Sequence, residues 1–123
     1  MDTSNYSDLN KTWIIDIDGT ILKHNGYRTG DDEVLPGVVE FFSNIPKDDK
    51  IIIITGRSSE IRERTEKILN ENNLRYDHII FDLPTGERFL FNDTKPSGLK
   101  TAYAFNVTRD SGLWKYVFTQ MAT

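Results

Sequence analysis

The sequence predicts an α/β protein, a three-layer sandwich built on a mostly parallel sheet. Three observations carry this. Two apolar runs, Thr12-Trp13-Ile14-Ile15-Asp16-Ile17 and Lys50-Ile51-Ile52-Ile53-Ile54-Thr55, are short, β-branched and non-alternating, which suits strands buried on both faces. Each is followed by a segment of helical periodicity. Each also breaks off in a polar turn containing glycine, Asp18-Gly19-Thr20 and Thr55-Gly56-Arg57. Those turns lie at carboxyl strand ends, where open α/β sheets gather the groups that bind ligands.

The elements can be justified in order. Met1 to Asn10 is polar and acidic and has no apolar core of a secretory signal, so residues 1–11 read as a disordered leader and 12–123 as a single domain. After the first strand, Ile21 to Leu35 forms a flap. Pro36 to Ile45 reads as a helix: proline suits a first turn, Val38, Phe41, Phe42 and Ile45 form an i, i+3, i+4, i+7 stripe, and Pro46 stops it. A second helix runs from Ser58 to Asn73, with Ile61, Thr65, Ile68 and Leu69 inward and the i, i+4 pairs Glu60–Arg64 and Glu63–Lys67 outward. His78 to Phe81, Arg88 to Phe91 and Thr101 to Val107 read as further strands. The gap between the first two of these is shorter than the roughly dozen residues of a parallel crossover, so a hairpin around Pro84-Thr85-Gly86 is the alternative. A last helix capped by Asp110 or Ser111 would run through Trp114, Val117 and Phe118.

Composition narrows the function. At 123 residues the chain suits one modest core. No run approaches the roughly 18 apolar residues of a membrane span, so a membrane is not an expected partner. Nineteen acidic residues against fifteen basic give a net charge of −4, which argues against a nucleic-acid binder, since that role needs a basic excess. The absence of cysteine removes disulfides, thiolate metal sites and cysteine nucleophiles together, and with no secretory signal it leads to a cytoplasmic expectation.

The chemistry concentrates at the strand ends. Asp16 and Asp18 at i, i+2 would share one face of a regular strand, and a curl at Gly19 lets both converge on one ligand. Asp16 is then the candidate nucleophile towards phosphorus, forming an aspartyl-phosphate. Asp18 is the candidate acid and base. Carboxylates repel phosphate, so a cation must sit among them, and Mg²⁺ suits oxygen ligands, retained waters and a substrate phosphate. Thr55 could hold a phosphoryl oxygen through its hydroxyl and the N–H groups after it. Asn92-Asp93 would supply further metal ligands, and Lys95 or Arg88 the cation that neutralises phosphate. Gly19, Thr20, Gly56, Arg57 and Arg88 complete the expected substrate-binding set. The plainer alternatives are turn and cap roles for Asp16, Asp18, Thr55 and Asn92-Asp93, and solvated charge for Lys95 and Arg88.

These residues resemble the haloacid dehalogenase superfamily of phosphohydrolases. Its Asp-x-Asp-Gly-Thr motif is matched by Asp16 to Thr20, its strand-ending threonine by Ile51 to Thr55 with Gly56-Arg57 after it, and its acidic motif by Asn92-Asp93. The resemblance implies a Rossmann-like fold, with Asp16 as nucleophile and Mg²⁺ ligand, Asp18 as acid/base with its carbonyl on the metal, Thr55 as phosphate ligand and Asp93 as a metal ligand. The chain departs from the family at the motif lysine. Lys95-Pro96 follows the acidic motif and Arg88 precedes it, while Asn92 stands where many relatives carry a second aspartate. The flap is too short for a folded cap, so the chain looks capless. Small capless relatives imply a phosphorylated sugar or surface-polysaccharide precursor as substrate, and a site closed by homo-oligomerisation. Lys23, His24, Tyr27 and Arg28 in the flap would meet that substrate. Transfer to an alcohol instead of water shares the same first step. A catalytically degenerate binding protein and a phosphoacceptor module are the readings from other classes.

Overall fold

Trp13 faces Ile51 and Ile15 faces Ile53 across two strands that run parallel, as their uninterrupted apolar character requires. In the computed structural model, which describes residues 6–113, the order is β1 (Thr12–Asp16), α1 (Gly26–Thr29), α2 (Val38–Ser43), β2 (Lys50–Ile54), α3 (Arg62–Glu71) and β3 (His78–Ile80), with a 3₁₀ turn at Ser59–Ile61 leading into α3. β3 adds in parallel beside β2, Ile79 opposite Ile53, so the sheet order is β1-β2-β3. This is a small α/β fold on a parallel sheet. Among the described residues no helix is long and apolar enough to cross a membrane.

The core lies on one side of the sheet. Ile15, Ile51 and Ile53 pack with Val38, Phe41 and Phe42 of α2, with Leu69 of α3, and with Ile17, Ile21 and Leu22 after β1. Trp13 meets Phe41 edge-to-face at 5.6 Å, and its indole N–H donates to Asp49 Oδ2 at 3.0 Å. The α2 stripe is buried as its spacing predicts: Val38, Phe41, Phe42 and Ile45 are all inside. Thr65 and Leu69 form the inner face of α3, and Ser58 caps the 3₁₀ turn that leads into it, its side chain accepting the Glu60 N–H.

Four features differ from the sequence reading. Among the described residues no layer covers the opposite face of the sheet: Ile14 and Ile80 are 49% and 48% exposed, and Ile52 and Ile54 are half-buried. Crossovers of one hand stepping in one direction, β1 to β2 to β3, put both connecting helices on the same face. The described residues therefore form two layers. Second, Arg88 to Phe91 and Thr101 to Val107 carry no strand and pair with neither sheet edge. Phe89 and Phe91 are 81% and 90% exposed, and strand propensity is realised only where a pleated partner face receives the side chains. Third, the surface ion pairs of α3 are Arg62–Glu66 and Lys67–Glu71, because Arg64 turns to Asp32 at 3.4 Å. Fourth, Tyr6 to Lys11 are tied down: Tyr6 packs against the core, the Lys11 ammonium donates to the Ser7 and Leu9 carbonyls at 2.7 Å, and Lys50 N–H donates to the Lys11 carbonyl. The predicted helix through Trp114, Val117 and Phe118 lies outside the described residues.

Two consequences can be measured. Phe42→Ala removes a buried ring at the centre of the α2 contact and should cost about 3–5 kcal/mol in urea unfolding. Asp77 and Asp82 sit below the usual carboxylate range, Asp77 chiefly through the Ile51 N–H bonded to its side chain and Asp82 through its bonds with Ser59. Groups held low in the folded state contribute stability that is present above the unfolded-state range and lost as pH falls through the folded value. Stability should therefore decline below about pH 4, and Asp77→Asn should flatten that decline.

Candidate active site

β1 ends in a tight curl. The Ile17 carbonyl accepts the N–H groups of Thr20, Ile21 and Leu22 at 3.1, 2.9 and 3.1 Å, and Gly19 N–H donates to the Leu22 carbonyl at 2.7 Å. Gly19 makes the curl possible at φ 85°, a backbone state that costs a side-chain-bearing residue. Its carbonyl accepts the Asp110 N–H at 2.9 Å, so the chain after Val107 returns to the same turn. The Asp110 carboxylate in turn accepts the His24 N–H at 2.8 Å. Flap and curl are thereby joined.

The two aspartates of the motif meet different partners. Asp16 Oδ1 accepts from Arg88 Nη1 at 3.2 Å and Oδ2 from the Thr20 hydroxyl at 3.3 Å. The Asp16 and Arg88 side chains are 32% and 42% exposed, so this ion pair contributes about 0–1 kcal/mol and opens readily. Asp18 is gripped by Arg57, with Nη2 2.9 Å from Oδ1 and Nε 3.0 Å from Oδ2. Oδ2 keeps lone-pair capacity for a proton.

β2 delivers Arg57. Thr55 is fully buried; its N–H donates to the Ile80 carbonyl, its carbonyl accepts from Leu83, and its hydroxyl accepts the Arg57 N–H at 3.0 Å. That last bond folds the Thr55-Gly56-Arg57 turn and sends the guanidinium inward, where its side chain has no exposure. There Nη2 and Nη1 also reach Asp32 Oδ1 and Oδ2 at 2.8 and 3.3 Å, and Nη1 reaches the Thr65 hydroxyl at 3.1 Å. The Tyr27 ring stacks 4.7 Å away. Burial, the largest single influence, works against the charge, but the hydrogen bonds and charges of Asp18 and Asp32 outweigh it and hold Arg57 above its ordinary pKa. Nε, Nη1 and Nη2 are all engaged, so Arg57, predicted to contact substrate, braces the protein from within.

The other predicted residues divide. Arg88 is the cation that reaches Asp16, while Lys95 lies in an exposed turn closed by Gly98 N–H on the Lys95 carbonyl at 2.8 Å. Asn92 donates to Thr101 Oγ1 at 2.9 Å, and the Thr101 hydroxyl bonds the Asp93 carbonyl, both in the exposed segment. Gly56 is exposed beside the Leu83 carbonyl. Among the described residues no group of three or more His, Asp or Glu is arranged to hold a metal, so Asp93 is not gathered with Asp16 and Asp18. Of the carboxylates expected to hold Mg²⁺, Asp16 and Asp18 stand at the curl, with Asp18 engaged by Arg57.

In the flap, Lys23 pairs with Asp31 at 3.0 Å and Arg28 Nε donates to the Tyr27 hydroxyl at 3.3 Å. Asp32, Arg109 and Asp110 carry site geometry that the motifs did not mark, while Tyr27, expected to meet substrate, stacks on Arg57. Asp32 is one acid in Asp31-Asp32-Glu33, and only the folded flap distinguishes it. A cleft lined by Gly30, Asp32, Arg64, Lys67, Ile68 and Glu71 borders the far side of Asp32 and contains neither motif aspartate. No family model, curated protein or solved structure matches the chain.

A Cβ on Gly19 would stand 3.3 Å from Arg109 Cγ in a left-handed backbone. Gly19→Ala should destabilise by about 1–2 kcal/mol, read as a lowered urea midpoint with unchanged slope.

Proposed function

We propose that the chain is a Mg²⁺-dependent phosphomonoester hydrolase that works through an aspartyl-phosphate on Asp16. The observation that supports this best is the unequal treatment of the two aspartates. Asp16 stands partly exposed at the end of β1, held by the weak Arg88 pair and a 3.3 Å bond from the Thr20 hydroxyl, and so is open to act as an attacking group. Asp18, two residues on, is held in one position by a buried guanidinium. The resemblance of Asp16 to Thr20 to the haloacid dehalogenase motif supports the same reading, and with it a capless, Rossmann-like member acting on a phosphorylated sugar or polysaccharide precursor.

In the proposed reaction an Asp16 Oδ attacks phosphorus and the ester P–O bond breaks, while the departing oxygen takes a proton that Asp18 Oδ2 relays from solvent. Arg88 leaves Asp16 for the phosphoryl oxygens, where its charge opposes the negative charge of the transition state. Asp18 then takes a proton from the water that attacks the phosphorus of the acyl phosphate, releasing phosphate and restoring Asp16. When bound, Mg²⁺ would offset the repulsion between carboxylate and phosphate, held by Asp16 and the Asp18 carbonyl.

Phosphate release should be measured from a panel of sugar phosphates and simple esters. Turnover is expected only with Mg²⁺, and Asp16→Asn should lower it by at least about a thousandfold. Wild-type rates in that variant would remove Asp16 from the role. A second reading, a degenerate phosphate-binding protein, is favoured by the separation of Asp93 from the motif pair. It is selected if Mg²⁺ and phosphate bind while no ester in the panel is hydrolysed.

A further inference from the structure

We infer that Asp32 is a positioning residue for Asp18, acting through Arg57, so that the flap sets the geometry of the acid/base. The role rests on the hydrolase reading above; the contact itself does not. Arg57 presents two edges. Its Nε/Nη2 edge holds Asp18, at 3.0 and 2.9 Å. Its Nη1/Nη2 edge holds Asp32, at 3.3 and 2.8 Å. A planar guanidinium gripped on two edges cannot rotate about either one, which is the geometric advantage of its rigid fork over an ammonium. Asp18 is thus aimed by a group whose own orientation is set by Asp32.

Asp32 is itself well placed to impose that orientation. Its side chain is 8% exposed, and its other charged neighbour is Arg64, 3.4 Å away on α3. Asp18, Arg57, Asp32 and Arg64 alternate in sign and balance in charge, which is how a buried ionic group avoids an uncompensated penalty. Asp32 is carried on the flap, whose root is sealed by Lys23 N–H on the Glu33 carbonyl and Leu35 N–H on the Ile21 carbonyl, both at 2.9 Å. The Tyr27 ring from the same flap covers one side of the guanidinium. A displaced flap withdraws Asp32 and Tyr27 together and frees Arg57 to swing.

Asp32→Asn tests this with two readouts. In metal-free protein the Arg57 Nε–H resonance should be sharp in the wild type; in the variant it should shift and exchange with water at least about tenfold faster. In turnover of para-nitrophenyl phosphate with Mg²⁺, kcat should fall about 10- to 100-fold, as a misaimed group does, with KM within about threefold of the wild type. Asp32→Glu keeps the charge on a side chain one methylene longer; it should show a smaller kcat loss and carries the test if Asp32→Asn does not fold. An unchanged Arg57 resonance in the folded variant overturns the inference, as does an unchanged kcat in an active enzyme. If the wild type hydrolyses no ester while the resonance still responds, the hydrolase reading fails and the hold of Asp32 on Arg57 stands.

Discussion

Burying a guanidinium costs several kcal/mol unless its donors and its charge are satisfied, and the structure around the site is organised by the way this chain meets that demand at Arg57. The side chain comes off the turn after β2, enters the interior, and finds one carboxylate from the end of β1, another from the flap, and a hydroxyl from α3. Three segments far apart in sequence are thereby tied to one atom group. A neutral side chain of similar size would leave two carboxylates facing each other across a low-dielectric gap, and the flap would lose the hold that reaches it from β2.

That arrangement also determines which aspartate remains available. Asp18 is drawn into the buried ion pair, while Asp16 has a partly exposed arginine and a threonine hydroxyl. Two identical side chains two positions apart are therefore in unlike environments, the general means by which a fold gives similar groups different tasks. The two residues sit in different local structure: Asp16 ends β1, while Asp18 lies in the curl that closes over the Ile17 carbonyl.

The sheet adds a second asymmetry. Alternation along β1 sends Trp13 and Ile15 to the helices and Ile14 and Asp16 to the other face. That other face carries Ile14, Ile52, Ile54 and Ile80 with no layer of described residues over it. Asp16 thus belongs to the side of the sheet that no layer of described residues covers, whereas Arg57 and its carboxylates lie among the packed segments. The exposed aromatic residues Phe89 and Phe91 fall in the same chain stretch that supplies Arg88, so the cation facing Asp16 comes from the least buried part of the described protein.

The sequence by itself determined β1, β2 and α2, and it marked Asp16, because each rests on local information. An isoleucine run can be stable only where both neighbours and one face are apolar, and the Val38, Phe41, Phe42 and Ile45 spacing has one helical solution. It also carried the need for Gly19, since a left-handed turn admits few other residues. It did not determine the pairing of 88–91 or 101–107, where apolar residues favour a strand but only a partner edge makes one. Nor did it separate Asp32 from Asp31 and Glu33, or reveal that Arg57 points inward and Arg64 sideways. A charged side chain reads the same in sequence whether it is solvated or clamped. Its role depends on which distant carboxylates the fold brings within hydrogen-bonding distance, and that only the tertiary structure decided.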